Sequence, residues 1–316
     1  MPAAASVVGP ITFGPGDYDN TANVVNAGPT PVNNQTTGLF RDVIWWSLNN
    51  GLPSVGSADF INQGNSLILV SNHATPGPGP YTALNFTGPS VSGGQSYLSV
   101  YDTTPADGTA TKDLFDAQSG ITINADVLFV KHSVSGGVVA LYNEGQDGLA
   151  LLASNADGNN PDVPKLSLIW QSAGTGITLT STSLPFGTFV PLDWYRVSLN
   201  LTVTGDTWSA TGSFYNHQTG TDPTSALGSL IATLSYSGSL SDPDASARVL
   251  TNPGEVGVMA MANESISLPD NVGVSVTNFE VVPEPATLVL LGLGGVGMLF
   301  GRRNASSRIN RRGPRA

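Results

Sequence analysis

Side chains able to do acid–base, nucleophilic or metal chemistry are few here and widely spaced. The chain has 316 residues, three histidines (His73, His132 and His217) and no cysteine. Thiol nucleophiles, disulfide frameworks and zinc sites built from cysteine or clustered histidine are therefore excluded. The five glutamates, Glu144, Glu255, Glu264, Glu280 and Glu284, stand singly. Cleaving a glycosidic bond needs two carboxylates about 5 to 10 Å apart, so such a pair would have to be assembled by the fold. No Gly-x-Ser-x-Gly elbow precedes a helix beside a suitable histidine. His132 and His217 fall at strand ends, where ordinary surface positions are expected. One segment, residues 155–162, gathers the oxygen ligands that calcium uses, and Asp157, Asn159 and Asp162 are its candidate ligands. It lacks the EF-hand spacing, and a polar Asx-rich turn is the plain alternative.

The elements that must position these groups read as β-strands. From Trp194 to Tyr215, Val197, Leu199, Leu201 and Val203 recur at period two, Thr204-Gly205-Asp206 follows, and Trp208, Ala210, Gly212 and Phe214 resume the alternation. This predicts a hairpin with one apolar and one Ser/Thr face. Further strands are expected at 66–70, 97–101, 121–132, 137–142, 148–154, 165–171, 177–182, 230–235, 255–262 and 272–282, with Gly, Pro, Asn and Asp between them. Their spacing suggests an antiparallel sandwich. Residues 38–49 place Leu39, Phe40, Val43, Ile44 and Leu48 on a helical stripe, so one short helix is expected there, and a turn or two is expected within 112–118.

Aromatic rings suggest a sugar-binding face only weakly. Alternation sends Trp208 to the core, while Trp45, Trp46 and Tyr215 are the better exposed candidates, and Glu280 reads as the wet side of an edge strand. Thr178, Thr180 and Thr182 share one face of a single strand, which is not the regular array that ice binding needs.

Charge divides the chain sharply. All 23 acidic residues but only six basic ones precede Pro285, a net of −17, and six arginines follow it. A body this acidic repels polyphosphate, so no nucleic-acid partner is expected for it. Between the two regions, residues 286–301 read ATLVLLGLGGVGMLFG, sixteen positions without a charge. As a helix they span roughly 24 Å, somewhat short of the roughly 30 Å hydrocarbon core. A short transmembrane helix is expected here. Pro285 stands at its start, and Arg302-Arg303 marks a cytoplasmic end, with the body on the far side of the membrane.

The order Val282-Pro283-Glu284-Pro285, then the Leu/Gly-rich span, then Arg302-Arg303, resembles the PEP-CTERM sorting signal of bacterial exported proteins. The resemblance implies export, temporary anchoring in the inner membrane lipid, recognition of Pro283, Glu284 and Pro285 by an exosortase, and release to the cell surface or extracellular matrix. The opening residues, MPAAASVVGPITFGPGDYDN, carry no basic n-region and no apolar run of about 7 to 15 residues. Either a leader is encoded upstream of Met1, which is the preferred expectation, or the chain is cytoplasmic.

The strand at 137–142, the strand at 148–152, the Trp194 hairpin and the closing strands 255–262 and 272–282 together resemble concanavalin A-like, laminin-G-like jelly rolls. That resemblance implies an all-β, antiparallel jelly-roll sandwich over residues 36–282, after an irregular segment 1–35 and before the sorting signal 283–316. Calcium at the sandwich rim is a further implication. Glycosidases of this type usually carry Glu-x-Asp-x-x-Glu on one strand, a spacing absent here. The expected function is thus a structural or adhesive surface protein, not an enzyme, with extracellular polysaccharide as a partner; a glycan-processing enzyme is the alternative.

Overall fold

Alternation of apolar and hydroxyl side chains lays down the longest hairpin. Val197, Leu199 and Leu201 are fully buried while Ser198, Asn200 and Thr202 keep partial exposure, and Trp208, Ala210 and Phe214 continue the buried row on the return arm. Thr204 pairs with Thr207, so Gly205 and Asp206 are the two turn residues. Gly205 has φ +61°, the conformation a two-residue hairpin with glycine first requires.

The computed structural model describes residues 8–11, 40–47, 67–73, 81–87, 90–91, 95–101, 114–129, 134–142, 148–155, 164–172, 175–185, 187–190, 193–242, 250–262, 266–267 and 274–283. They belong to one compact unit, Met1–Pro283. In chain order their strands are β1 (Val8–Ile11), β2 (Phe40–Ser47), β3 (Leu67–His73), β4 (Tyr81–Thr87), β5 (Ser90–Val91) and β6 (Gln95–Tyr101). Next come β7 (Ile121–Phe129), β8 (Val134–Tyr142), β9 (Gly148–Asn155), β10 (Lys165–Ser172) and β11 (Thr175–Ser183). The series closes with β12 (Trp194–Thr204), β13 (Thr207–His217), β14 (Leu227–Ser239), β15 (Glu255–Ala262), β16 (Ile266–Ser267) and β17 (Val274–Pro283). A 3-10 turn at Ala117–Ser119, capped by Asp116, is the one named helical element among the described residues.

The first sheet runs β14-β13-β12-β7-β17-β4-β3, with β1 added against β17, and the second runs β11-β10-β9-β8-β15-β6-β2. All strand pairings are antiparallel. Strands β8 to β11 and β12 to β14 follow one another as meanders. The late strands β15 and β17 instead return beside β6 and β4, which interleaves the two ends of the chain in a jelly-roll sandwich.

The inner faces of the sheets meet in one core. Ile121, Ile123, Ala125 and Val127 of β7 lie in the same cluster as Leu149, Leu151, Leu166, Leu168 and Trp170 of the second sheet. At one end of this core four rings gather. Phe189 meets Phe129 edge-on at 4.8 Å, and Tyr195 stacks on Phe214 at 5.2 Å between centroids. The Tyr195 hydroxyl accepts from Val190 N and donates to Thr188 O, both at 2.8 Å. Burial, more than any charge, pushes that phenol up to about 12. The second sheet is apolar on its outer side as well, where Val139, Ala150, Leu152 and Met259 form a separate, fully buried cluster.

Residues 40–47 correct the helix expected at 38–49. They form β2, paired along its length with β6. Apolar residues at 39, 40, 43, 44 and 48 fit a helical stripe, but Phe, Val, Ile and two Trp favour a strand, and a free edge of β6 supplies the hydrogen-bond partner. The segment expected to be irregular, 1–35, contains β1, which pairs Val8 with Val281.

Close approach fixes one glycine. Gly137 of β8 lies between Leu152 of β9 and Met259 of β15, and a Cβ there would fall on the backbone carbonyl of Leu151. Gly137→Ala is expected to destabilise the sandwich by about 2–3 kcal/mol, lowering its melting temperature by about 5–10 °C. Gly205→Ala, where nothing lies within 4 Å of an added Cβ, should cost only the ~1 kcal/mol of a left-handed alanine. Thermal unfolding followed by circular dichroism distinguishes the two.

Candidate functional site

On β7 the even-numbered residues point away from the core, and the outer face there holds charges that a sheet rarely buries. Asp126 is fully buried. Its cross-strand neighbour on β12 is Arg196, whose Nε donates to Oδ1 at 2.6 Å and Nη2 to Oδ2 at 2.9 Å. Such a fork-to-carboxylate match is the strongest pairing available to either group. Arg196 Nη1 also reaches Glu280 Oε1 at 3.3 Å, and Asn124 Nδ2 donates to the same oxygen at 2.9 Å.

Two further groups close on Asp126. His217 ends β13 and is 3% exposed. Its Nε2 lies 3.1 Å from Asp126 Oδ1, an ionic contact without the linearity of a full hydrogen bond. Its Nδ1 lies 3.1 Å from the Ser225 carbonyl. Asn278 is the extra residue of a bulge in β17, where the register against β7 shifts between Thr277 and Glu280. Its φ is +49°, a conformation asparagine tolerates better than other non-glycine residues. That backbone turns its amide outward, so Nδ2 donates to Asp126 Oδ2 at 2.7 Å and to Pro223 O at 2.9 Å.

Electrostatics follow from this packing. Burial pushes the Asp126 carboxyl up, but the hydrogen bonds and charges of Arg196 and His217 outweigh it and hold the group below its ordinary value of 3.8. Burial likewise pushes the His217 ring down, and its contact with Asp126 and the Ser225 carbonyl reverses the sign, leaving it above 6.5. Two carboxylates thus gather around one guanidinium, with the His217 ring against Asp126. This cluster fastens the β13–β14 connection, residues 218–226, over one end of the outer face. The Gly220 carbonyl accepts from Trp194 N at 2.6 Å.

Away from that end the outer face is open and polar. Thr122, Asn200, Thr211 and Ser235 form one row across four strands, and Asn124, Ser198, Ser213 and Thr233 form the next. Asn200 Nδ2 donates to Thr122 Oγ1 at 2.9 Å. Among the described residues, Ser198 and Ser213 make no side-chain hydrogen bond. Tyr215 lies beside Arg196 at the border between the rows and the charged cluster.

The expectations for individual residues fall out as follows. His217 is a buried ion-pair member, not a surface residue, because the bulge at Asn278 and the covering loop enclose the end of its strand. Glu280 lies on β17, an interior strand between β7 and β4, not on an edge. Trp208 is in the core as expected, whereas Trp194 is buried on the opposite, outer face with Leu128. Pro283 closes β17 opposite Ile121. Glu284, Pro285, Arg302, Arg303 and the calcium candidates Asp157, Asn159 and Asp162 lie outside the described residues, as does the span 286–301. Among the described residues no helix is long and apolar enough to cross a membrane, and no three His, Asp or Glu residues converge as a metal site. Sequence reasoning missed Asp126 and Arg196. The available signal was an acid in mid-strand in ITINADVLFV and a lone base among the alternating residues of β12.

Residues 281–304 match the PEP-CTERM protein-sorting motif. The chain carries this sorting motif. It begins inside the last three residues of β17 and continues through Arg302-Arg303. No curated protein matches the chain. Among solved structures, lectin II from Ulex europaeus is similar at 8% identity and TM-score 0.38, over 80% of this chain and 95% of that one. The CBM2 module of the evolved Dit of Lactobacillus casei BL23 phage J-1 is similar at 11% and 0.39, over 87% and 94%. A native glycosidic hydrolase is similar at 10% and 0.38, over 90% and 99%. At scores this low the strand order itself defines the fold.

Asn278 offers a test of the clasp. Asn278→Gly keeps the backbone conformation but removes two hydrogen bonds, one to a buried carboxylate, and should cost about 1.5–3 kcal/mol. Asn278→Ala should cost about 1 kcal/mol more, because alanine resists positive φ. Urea unfolding midpoints of the two variants check both the size and the order.

Proposed function

We propose that the protein is an exported surface or matrix protein, held briefly in the inner membrane by residues 286–301 and processed by an exosortase at Pro283-Glu284-Pro285. The observation that carries this reading is the motif match at 281–304, placed directly where the last strand of the sandwich ends. The uncharged span and the six arginines beyond it supply the anchor and its cytoplasmic stop. The acidic body stays soluble and avoids polyanions once released.

In this reading the body is adhesive, and its contact surface is the hydroxyl and amide rows on the outer face of the first sheet. Neighbouring strands repeat at about 4.8 Å and alternate residues at about 6.8 Å, so polar groups recur at intervals comparable to the hydroxyls along a sugar chain. Tyr215 adds a ring beside the rows. The face carries no unpaired charge among the described residues, since Glu280 is met by Arg196 and Asn124, which suits an uncharged polysaccharide. Against hydrolysis stands the state of the nearest carboxylate pair. Asp126 is wholly buried with both oxygens engaged, and Arg196 lies between it and Glu280. Asp126, held below its ordinary value by Arg196 and His217, is not a general acid that keeps its proton near neutral pH.

Replacing Pro283, Glu284 and Pro285 by alanine in a host with an exosortase should leave the full-length protein in the membrane fraction, whereas the parent is shortened and released. Equal release of both would overturn the sorting assignment. For the body, co-sedimentation with a panel of insoluble neutral polysaccharides should retain the parent. Tyr215→Ala combined with Asn200→Ala should weaken that retention by about tenfold, or ~1.4 kcal/mol. No retention on any of the panel would remove the glycan reading and leave the sorting assignment standing.

A further inference from the structure

We propose that residues 218–226 are clasped onto the outer face of the first sheet by the imidazolium form of His217, and that the clasp loosens when the ring gives up its second proton. Both ring nitrogens face oxygen acceptors that carry no hydrogen, Asp126 Oδ1 and the Ser225 carbonyl, each at 3.1 Å. A neutral imidazole has one N–H, so one of the two contacts would set a lone pair against an oxygen. Only the doubly protonated ring presents an N–H to the carbonyl and a positive charge to the carboxylate at once, and at 3% exposure no bulk water replaces the lost partner.

The segment is built to move as a piece. Asp222 Oδ1 accepts from Thr224 N at 2.8 Å and from Thr224 Oγ1 at 2.7 Å, and Ser225 Oγ donates to the Asp222 carbonyl at 2.7 Å. At its base Gln218 N donates to Ala226 O at 2.9 Å. Among the described residues its hold on the sheet includes His217, the Asn278 amide on the Pro223 carbonyl, and the Trp194 N–H on the Gly220 carbonyl. Losing the first of these raises the open population without unfolding the sandwich. Opening would uncover the Trp194 and Leu128 side chains and the Asp126 carboxylate beside the hydroxyl rows.

The charged groups on the elements packed around the ring are Asp126 of β7, which touches it, Arg196 of β12, whose charge opposes a second proton, Glu280 of β17, which meets Arg196, Asp222 within the loop, and Asp193 against Gly220. Four of these five are carboxylates, and Asp126 touches the ring directly. A proton is therefore held more tightly in the closed form than in the open one. Clasp stability from His217 is complete below the ring's ordinary value of 6.5 and is lost as pH rises through the higher closed-state value. On the acid side, the Asp126 contribution is present above 3.8 and lost as pH falls through its lower folded value.

The full chain, in mild detergent for its apolar tail, tests this by nitrogen-edited magnetic resonance of the His217 ring, assigned with His217→Gln. Both nitrogens should carry protons at pH 6.5, and one proton should leave at higher pH. Amide exchange of residues 218–226, corrected for base catalysis, should rise by up to about tenfold per pH unit over the same titration. His217→Gln should exchange faster than the parent below the titration, converge with it above, and show a flat corrected profile. A singly protonated ring at pH 6.5, or protection of 218–226 that ignores the titration, would overturn the proposal. If the variant does not fold, the two parent measurements still decide it, with assignment by His73→Gln and His132→Gln.

Discussion

The last segment of the body is an interior strand, and the rest of the fold waits on it. β17 hydrogen-bonds to β7 on one side and to β4 on the other, so without it the first sheet is two unconnected ribbons. Its residues Val274, Val276, Phe279 and Val281 also line the core. Sheet closure therefore needs contacts between segments far apart in sequence, with the associated loop-closure entropy met only when the chain is nearly complete. The same strand carries Asn278 and Glu280, so the outer-face cluster depends on the same docking event.

That cluster shows how a sheet accommodates a buried carboxylate. Leaving Asp126 unpaired in an apolar setting would cost several kcal/mol. A strand partner alone cannot enclose it, because alternation leaves the outer face open to solvent. The bulge at Asn278 supplies a third donor from β17, and the loop after β13 supplies cover together with the His217 ring. Each part needs the others: the loop has a reason to dock only if the carboxylate is present, and the carboxylate is dry only because the loop is docked. Arg196 remains partly exposed, with 17% of its side chain accessible, and is the route by which the cluster borders the open hydroxyl rows.

What the sequence made legible was local. The hairpin from Trp194 to Tyr215 declared itself because period two and a glycine turn act within twenty residues or so, and the sorting motif did so because composition, charge and order lie side by side. Residues 40–47 misled because five apolar positions fit both a helix and a strand; only the pairing with β6, more than fifty residues later, decided between them. The Asp126 cluster was invisible for the same reason in stronger form. Its partners stand 70 and 152 residues away, and the bulge that aims Asn278 leaves no mark in a single sequence beyond an asparagine inside an apolar run. His217 read as a surface residue since a strand end is normally wet, and nothing local announces the loop that covers it.

Pro283 belongs to both halves of this account, and its chemistry explains why the boundary lies there. Proline has no N–H, so a sheet ladder cannot continue through it as a donor, and its ring restricts the residue before it to extended backbone. Val282 thus keeps strand geometry opposite Thr122, while pairing stops at Pro283 opposite Ile121. A second proline follows two residues later in the sequence, and it too has no N–H to donate. Among the described residues the core loses no side chain when the chain is cut beyond this point, because Val281 is the last side chain of β17 that the core contains. The motif already shares Val281 with the core; a sorting signal placed even a few residues earlier would have shared Phe279 as well, and recognition would then have had to compete with folding.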